Sequence, residues 1–194
     1  MKPSEIRQSV REKRRQMEDS HRSKASQQIC EAVADRADFR SAQNVAAFLP
    51  FDGEPNLAEL ISTAWDRGQH VFLPIVRGKE QPLSFAAYDR STKLVPNQFG
   101  ILEPDPATAR VIDAAELDCV LTPLVAFDSD CHRLGVGGGF YDRTFAFTKA
   151  AAADERTTLI GIAFELQRVE SIEPQSWDVP LDAVVTESNE YVAS

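Results

Sequence analysis

The sequence predicts an α/β layered protein with a mostly parallel central sheet. Short apolar runs closed by proline have the length and content of buried strands: Asn44 to Leu49 before Pro50, Val71 to Leu73 before Pro74, and Asp118 to Thr122 before Pro123. Around them lie stretches whose apolar residues recur at helical spacing. Strands that alternate with helices in this way stack as a parallel sheet under helical layers. The 194 residues make a single domain, 1–194, the expectation, and they suffice for a full core.

Residues 2–17 predict a helix, with Ile6, Val10, Arg14 and Met17 on one thin stripe and basic residues on the other faces. A second helix is expected from Ser20 to about Arg36, with Ala25, Ile29, Ala32 and Val33 inward. This basic helical segment, about residues 1–36, is expected to pack on the α/β core. After the Asn44 strand, Pro55 sits where a helix can begin; Leu57, Leu60, Ile61 and Ala64 share a face, and Gly68 ends it. Leu83 to Tyr88 reads as a strand, and residues 91–110, with three prolines and one glycine, as a long excursion over the surface. A helix is expected from about Gly139 to Ala153, then strands at Leu159 to Phe164 and Ala183 to Thr186. In such sheets ligands bind beyond the carboxyl ends of the strands.

Composition narrows the function classes. Lys and Arg number 21 against 30 Asp and Glu, for a net charge of -9, which argues against a nucleic-acid partner. Residues 1–24 hold eight basic and four acidic groups, a net of +4, so the remainder carries -13. No stretch approaches the roughly 18 apolar residues that span a bilayer, so no membrane partner is expected. The basic N-terminus lacks the apolar segment of a secretory signal, and Glu5, Glu12, Glu18 and Asp19 speak against a transit peptide. Cys30, Cys119 and Cys131 form neither a disulfide framework nor a metal knuckle, which suits a reducing, cytoplasmic compartment. Cys131 and His132 are adjacent on a loop and read as polar loop residues rather than a thiol–imidazole site.

The chemistry concentrates between Phe127 and Arg143. Four glycines, Gly135, Gly137, Gly138 and Gly139, fall within five positions between a strand and a helix. Glycine lets backbone N–H groups turn inward and lets a phosphate approach without a Cβ in the way. The following helix adds its positive end, and Arg133 and Arg143 bracket the loop as charged donors. Asp142 stands where a carboxylate can hold Mg²⁺ beside substrate phosphates. A tight turn with Asp142 as a helix cap is the plainer reading of the same residues. The loop is neither a Walker A nor a dinucleotide fingerprint. A second candidate is Leu49 to Pro55, after the first strand: Glu54 can accept from a polar heterocycle and Phe51 can stack on it. An Asp-Gly turn with Glu54 beside a helix start explains the segment equally well.

RLGVGGGFYDR, residues 133–143, resembles the R-L-G-x-G-x-G-[YF]-Y-D signature of the 5-formyltetrahydrofolate cyclo-ligases, also called methenyltetrahydrofolate synthetases. The basic N-terminal helix, FLPFDGEP after the first strand, FGILEP at 99–104 and Val179-Pro180-Leu181-Asp182 occur in that family's order. The resemblance implies a three-layer α/β/α fold similar to ribose-phosphate isomerases and CoA transferases. It implies ATP- and Mg²⁺-dependent conversion of 5-formyltetrahydrofolate to 5,10-methenyltetrahydrofolate, ADP and phosphate. By position, Arg133, Leu134, Gly135, Val136, Gly137, Gly138, Gly139, Phe140 and Tyr141 would hold the ATP phosphates, with Lys2 and Arg7 reaching in from the N-terminal helix. Arg133, Tyr141 and Asp142 would be catalytic, and Asp142 with Asp182 would bind the metal. Leu49, Phe51, Glu54 and Phe99, with residues Val136 to Phe140, would bind the folate. The implied partners are small molecules, and the expected assembly is a monomer. Three departures stand out. Lys2 precedes Arg7 by five positions with Pro3 between, where the family often has four, so either the first turn is irregular or Arg11 takes part of the load. Val136 and Gly138 replace frequent basic residues, and Phe140 lacks a frequent hydroxyl. Two other readings fit the same fold: a sugar-phosphate isomerase or CoA-transferase relative without ATP, and a silent paralogue that only binds folate or nucleotide.

Overall fold

The computed structural model describes residues 2–150 and 157–193. The chain begins with helices α1 (Pro3–Arg15), α2 (Asp19–Asp35) and α3 (Ala37–Ser41). Strand β1 (Asn44–Ala46), helix α4 (Ala58–Asp66) and strands β2 (His70–Ile75) and β3 (Ser84–Ala87) follow. Next come β4 (Leu94–Pro96), β5 (Leu102–Pro104), β6 (Val111–Ile112), β7 (Cys119–Pro123), β8 (Ala126–Phe127) and β9 (Arg133–Leu134). Helix α5 (Phe140–Thr144) leads towards β10 (Thr158–Ile162), β11 (Ala183–Val185) and β12 (Glu190–Val192).

Eight strands form one sheet in the order β12-β11-β10-β7-β1-β2-β3-β6. The run from β11 to β2 is parallel throughout, with antiparallel strands at both edges. Side chains alternate between two cores. Val45, Ala47, Val71, Leu73, Cys119, Leu121, Ile160 and Ile162 pack with Ile29 and Val33 of α2 and Leu60 and Ala64 of α4. Ala46, Phe72, Val120, Leu159 and Val184 face the other way, against Phe85, Phe127 and Phe145. Burial on both faces is why these strands read as continuous apolar runs. It also produces the expected layers, α2 and α4 on one side, α5 and its neighbouring turns on the other.

Gly161, in the middle of β10, marks how tightly the second core closes. A Cβ there would lie 2.6 Å from Leu181 Cδ1 and 2.8 Å from Leu124 Cδ2. Gly161→Ala is expected to cost about 1–3 kcal/mol by overpacking, read as a lower urea midpoint with an unchanged slope.

Two expectations need correction. The helix expected over 139–153 is only α5, followed by a 3₁₀ segment, Ala146–Ala150; residues 151–153 lie outside the described residues. The hydroxyl of Thr144 donates to the Phe140 carbonyl at 2.7 Å and that of Thr148 to the Phe145 carbonyl at 2.8 Å, while Phe145 turns fully into the core. Threonine and aromatic residues hold a helix weakly, and core burial of Phe145 decides the path. The excursion at 91–110 is an antiparallel ribbon of β4 and β5, with Leu94 opposite Pro104 and Pro96 opposite Leu102. A two-stranded ribbon tolerates proline on its outer edges. Buried Glu103 anchors it: Oε2 accepts from the Val76 N–H and from Asn97 Nδ2, each at 3.0 Å.

The sheet changes direction beside β1. The chain leaves β1 through α4 to β2 on one side, and β7 enters on the other. Loops leaving the carboxyl ends of β1 and β7 therefore diverge and leave a crevice between them. No helix among the described residues is long and apolar enough to cross a membrane.

Candidate functional site

The loop after β1 enters the crevice as a tight turn. Asp52 and Gly53 take left-handed conformations, φ 50° and 76°. The Glu54 N–H donates to the Phe51 carbonyl at 3.1 Å, and the Phe51 N–H donates to Glu54 Oε2 at 3.0 Å. The turn is clasped from outside by α1. Arg14, 1% exposed, donates through Nε to the Asp52 carbonyl at 2.9 Å and lies 3.4 Å from its carboxylate. Arg15 donates to Asp52 Oδ1 at 2.6 Å, and Arg11 stands 3.8 Å from Oδ2. Although burial opposes it, the hydrogen bond from Arg15 and the charges of Arg14, Arg15 and Arg11 hold the Asp52 carboxyl below its ordinary range. Ile6 and Val10 seat the same helix on Val125 and Ala126.

This clasp accounts for three of the eight N-terminal basic residues. Asp52→Asn keeps the left-handed turn but leaves the buried Arg14 with Glu54 as its remaining nearby carboxyl. It is expected to cost about 3 kcal/mol, read in guanidinium or urea unfolding.

The loop after β7 supplies the opposite wall. Phe127 and Arg133 pair across the short β8–β9 hairpin. The buried Asp128 carboxylate fixes its tip, accepting from the backbone N–H groups of Asp130, His132 and Ile172 and facing His132 Nδ1 at 3.1 Å. Cys131 is 1% exposed and burial raises its thiol to about 11, which suits a packed loop residue and not a nucleophile. The glycine loop then turns through positive φ at Gly137 (103°) and Gly139 (61°). Arg7 of α1 donates to the Gly135 carbonyl at 2.8 Å, and its Cζ comes within 3.8 Å of where a Cβ on Gly137 would be. Arg143 donates to the Gly138 carbonyl at 2.5 Å and the Lys79 carbonyl at 3.0 Å. It also lies over the Phe140 ring at 5.5 Å.

Two cavities share this loop. A cleft of about 720 Å³ is bounded by Leu49, Phe51, Glu54, Phe99, Val136 to Gly138, Phe140, Tyr141 and Arg11. The expected folate-binding residues are thus gathered at one place, except that Gly139 borders the other cavity. The second, about 450 Å³, is bounded by Gly137 to Gly139, Asp142, Arg143, Ala146, Lys149 and Trp177. Gly137, Gly138 and Arg143 border both.

Burial raises the half-buried Glu54 carboxyl to about 7, against the opposing charge of Arg14 and the Phe51 N–H. Burial and the neighbouring Glu54 push the Tyr141 phenol up, so it stays protonated.

Arg133 does not face the cavities freely. It is nearly enclosed, with a hydrogen bond to Asp142 Oδ1 and another to the Val179 carbonyl, each at 2.5 Å. Burial pulls its pKa down while Asp142 and Asp178 oppose that. Asp142 Oδ1 also accepts from the Val179 N–H at 3.1 Å. Oδ2 has no hydrogen bond among the described residues. One free carboxylate oxygen beside a glycine-lined cavity fits a hard divalent cation that takes its other ligands from phosphate and water.

Asp182 is placed elsewhere. Its Oδ2 accepts from the Leu159 N–H at 2.7 Å, near the start of β10 and so at the amino end of the sheet. The carboxylate expected as a second metal ligand thus gives one oxygen to a strand-start N–H. Lys2 is exposed at the start of α1, its backbone N–H bound to Glu5 Oε2 at 2.9 Å, so Arg7 is the basic residue that reaches the glycine loop.

Residues missed in the sequence include Asp52 and Arg14 as a clasp, Asp178, Lys149 and Trp177. Arg14 stood on the apolar stripe of the first helix, which was the available signal. The others come from segments distant in sequence and carry no local pattern.

Comparison with known proteins agrees with this geometry. A family model described as the 5-formyltetrahydrofolate cyclo-ligase family matches residues 1–187. A 5-formyltetrahydrofolate cyclo-ligase of Escherichia coli K12 is 37% identical over 180 residues, covering 92% of this chain and 97% of the relative. One of Haemophilus influenzae is 35% identical over 181 residues, covering 93% and 95%. The solution structure of Aquifex aeolicus 5,10-methenyltetrahydrofolate synthetase superposes with a TM-score of 0.82 at 28% identity, covering 99% of this chain and 93% of that one. A match that runs from α1 through both walls of the crevice leaves no room for an isomerase or transferase assignment: the chain belongs to the 5-formyltetrahydrofolate cyclo-ligase family.

Proposed function

We propose that the chain closes 5-formyltetrahydrofolate to 5,10-methenyltetrahydrofolate at the expense of ATP, with folate in the larger cleft and the nucleotide in the smaller one. The observation that carries this reading is the shared wall: Gly137, Gly138 and Arg143 border both cavities, so a phosphoryl donor and its acceptor can meet there. The acceptor side is mostly apolar, with Glu54 as a carboxyl in reach of a heterocycle's N–H groups and Phe51 and Phe99 as ring-sized walls. The donor side has glycine amides, Lys149 and Asp142.

The chemistry needs that juxtaposition. A formyl oxygen is a poor leaving group, and transfer of the γ-phosphoryl group onto it solves the problem. N10 then attacks the formyl carbon, loses its proton, and phosphate departs with the former formyl oxygen. Phosphoryl transfer asks for positioning and charge neutralisation, not for a covalent residue. That accords with a site whose cysteine and histidine are spent on packing. Magnesium, when bound, neutralises phosphate charge; Asp142 would hold it. Arg133 positions Asp142 from below, and Arg7 positions the glycine loop from α1. Val136 and Gly138, which offer no side-chain cation, leave the phosphates to the loop amides and to Lys149. The protonated Tyr141 phenol beside Glu54 is a donor towards the folate.

The test is the growth of the near-ultraviolet absorbance of the methenyl product from 5-formyltetrahydrofolate. Growth that requires both ATP and Mg²⁺, with one ADP formed per product, is expected. No growth under those conditions, with nucleotide or folate still bound, would instead establish a silent binding protein.

A further inference from the structure

Trp177 has no part in the reaction as proposed, yet it is 64% exposed at the border of the smaller cavity. Leaving an indole in water is costly, and a large exposed apolar group is informative when it edges a cavity. Its surroundings make the exposure more pointed. The turn that carries it is pinned on several sides: the Asp178 N–H donates to the Gln175 carbonyl at 3.0 Å, and the Gln175 N–H to Asp178 Oδ2 at 2.8 Å. Lys149 Nζ donates to the Ser176 carbonyl at 2.6 Å and the Asp178 carbonyl at 3.1 Å. Two residues on, the Val179 N–H is bound to Asp142. The backbone is therefore fixed against the carboxylate of the phosphate side, while the indole stays available.

A fixed turn that presents a free aromatic face on a cavity lined by glycine amides, a carboxylate and lysine fits one chemical class: a planar heterocycle carried on a phosphate chain. Two residues of chain span at most about 7 Å, so the indole and Asp142 belong to one ligand's reach. We propose that Trp177 is the stacking platform for the base of the nucleoside triphosphate, and that it sets nucleotide affinity without touching the folate. This rests on the placement of ATP in the smaller cavity. Stacking tolerates any purine, because each presents a π-face, so Trp177 supplies affinity for the base more than discrimination between bases.

The experiment compares Trp177→Ala and Trp177→Phe with the parent enzyme. The alanine variant is expected to raise the KM for ATP about tenfold. The phenylalanine variant should stay within about threefold. The KM for 5-formyltetrahydrofolate and the inhibition constant of inorganic tripolyphosphate, which has no base, should move by less than about twofold. A second readout needs no turnover. Trp65 is the only other tryptophan and lies packed against Tyr88, its Nε1 donating to the Tyr88 carbonyl at 3.0 Å. In a Trp65→Phe background, ADP should quench the remaining indole fluorescence and tripolyphosphate should not. An unchanged KM for ATP in the alanine variant, or ADP binding without quenching, would overturn the stacking role. Equal weakening of ATP and tripolyphosphate would also overturn it, pointing to a turn that only supports Asp142. If the parent enzyme has no ATP-dependent turnover, the proposed reaction fails, and the quenching titration still decides the platform.

Discussion

Asp142→Asn is expected to lower ATP-dependent product formation by about a thousandfold, the scale on which removing a charge aimed at the reacting groups acts. The substitution separates two jobs. Its amide oxygen can still accept from Arg133 and from the Val179 N–H, so the local frame has the atoms it needs. The charge is lost, and Arg133, whose side chain is 6% exposed, is left without its nearest counter-ion. Breaking such a buried pair costs about 3–5 kcal/mol, so a lower melting temperature should accompany the loss of turnover. The double variant Arg133→Met/Asp142→Asn removes both charges and should recover most of the stability, because an apolar replacement of a buried pair is often neutral. Turnover should stay lost. Turnover that returned together with stability would mean that Asp142 serves only to hold Arg133. Circular dichroism well below the melting temperature shows whether each variant is folded when assayed.

The parts of this protein that could be read from its sequence are those set by local spacing. Val71-Phe72-Leu73 and Cys119-Val120-Leu121 are buried on both faces, and a strand buried on both faces needs apolar residues without interruption. Gly137 and Gly139 have positive φ, which glycine adopts freely, so the glycine spacing marked the loop directly. The parts that could not be read depend on partners far along the chain. Nothing local distinguishes a carboxylate that accepts at a strand start, as Asp182 does, from one that borders a cavity, as Asp142 does. Only the pairing of β10 with β11 assigns Asp182 to Leu159. Likewise the +4 of the first 24 residues does not show its own partner, since Arg11, Arg14 and Arg15 all converge on Asp52 across the chain. One helix thus touches both walls, Arg7 on the glycine loop and Arg14 on the Asp52 turn.

Glu54→Gln is expected to raise the KM for 5-formyltetrahydrofolate by about 10- to 100-fold at pH 8, the worth of hydrogen bonds to a charged acceptor. The pterin ring offers neighbouring N–H donors, which match the two oxygens of an ionised carboxylate better than an amide or a protonated acid. Because burial raises the Glu54 carboxyl to about 7, the parent enzyme should bind folate more tightly as pH rises from 6 to 8. The glutamine variant has no such group and its KM should be flat across that range. The stability consequence has the opposite sign. A carboxyl raised from an ordinary 4.5 to about 7 is tolerated in full while it is protonated, below about pH 4.5. Its stabilising contribution is lost as pH climbs through 7, because the folded chain must then hold a charge that the unfolded chain hydrates. For a half-buried group, screened by solvent, the difference is about 1–2 kcal/mol. Glu54→Gln should therefore unfold at higher denaturant than the parent at pH 8 and at nearly the same denaturant at pH 4.5. A parent KM that did not change between pH 6 and 8, or a glutamine variant with the parent's affinity at pH 8, would remove Glu54 from the folate site.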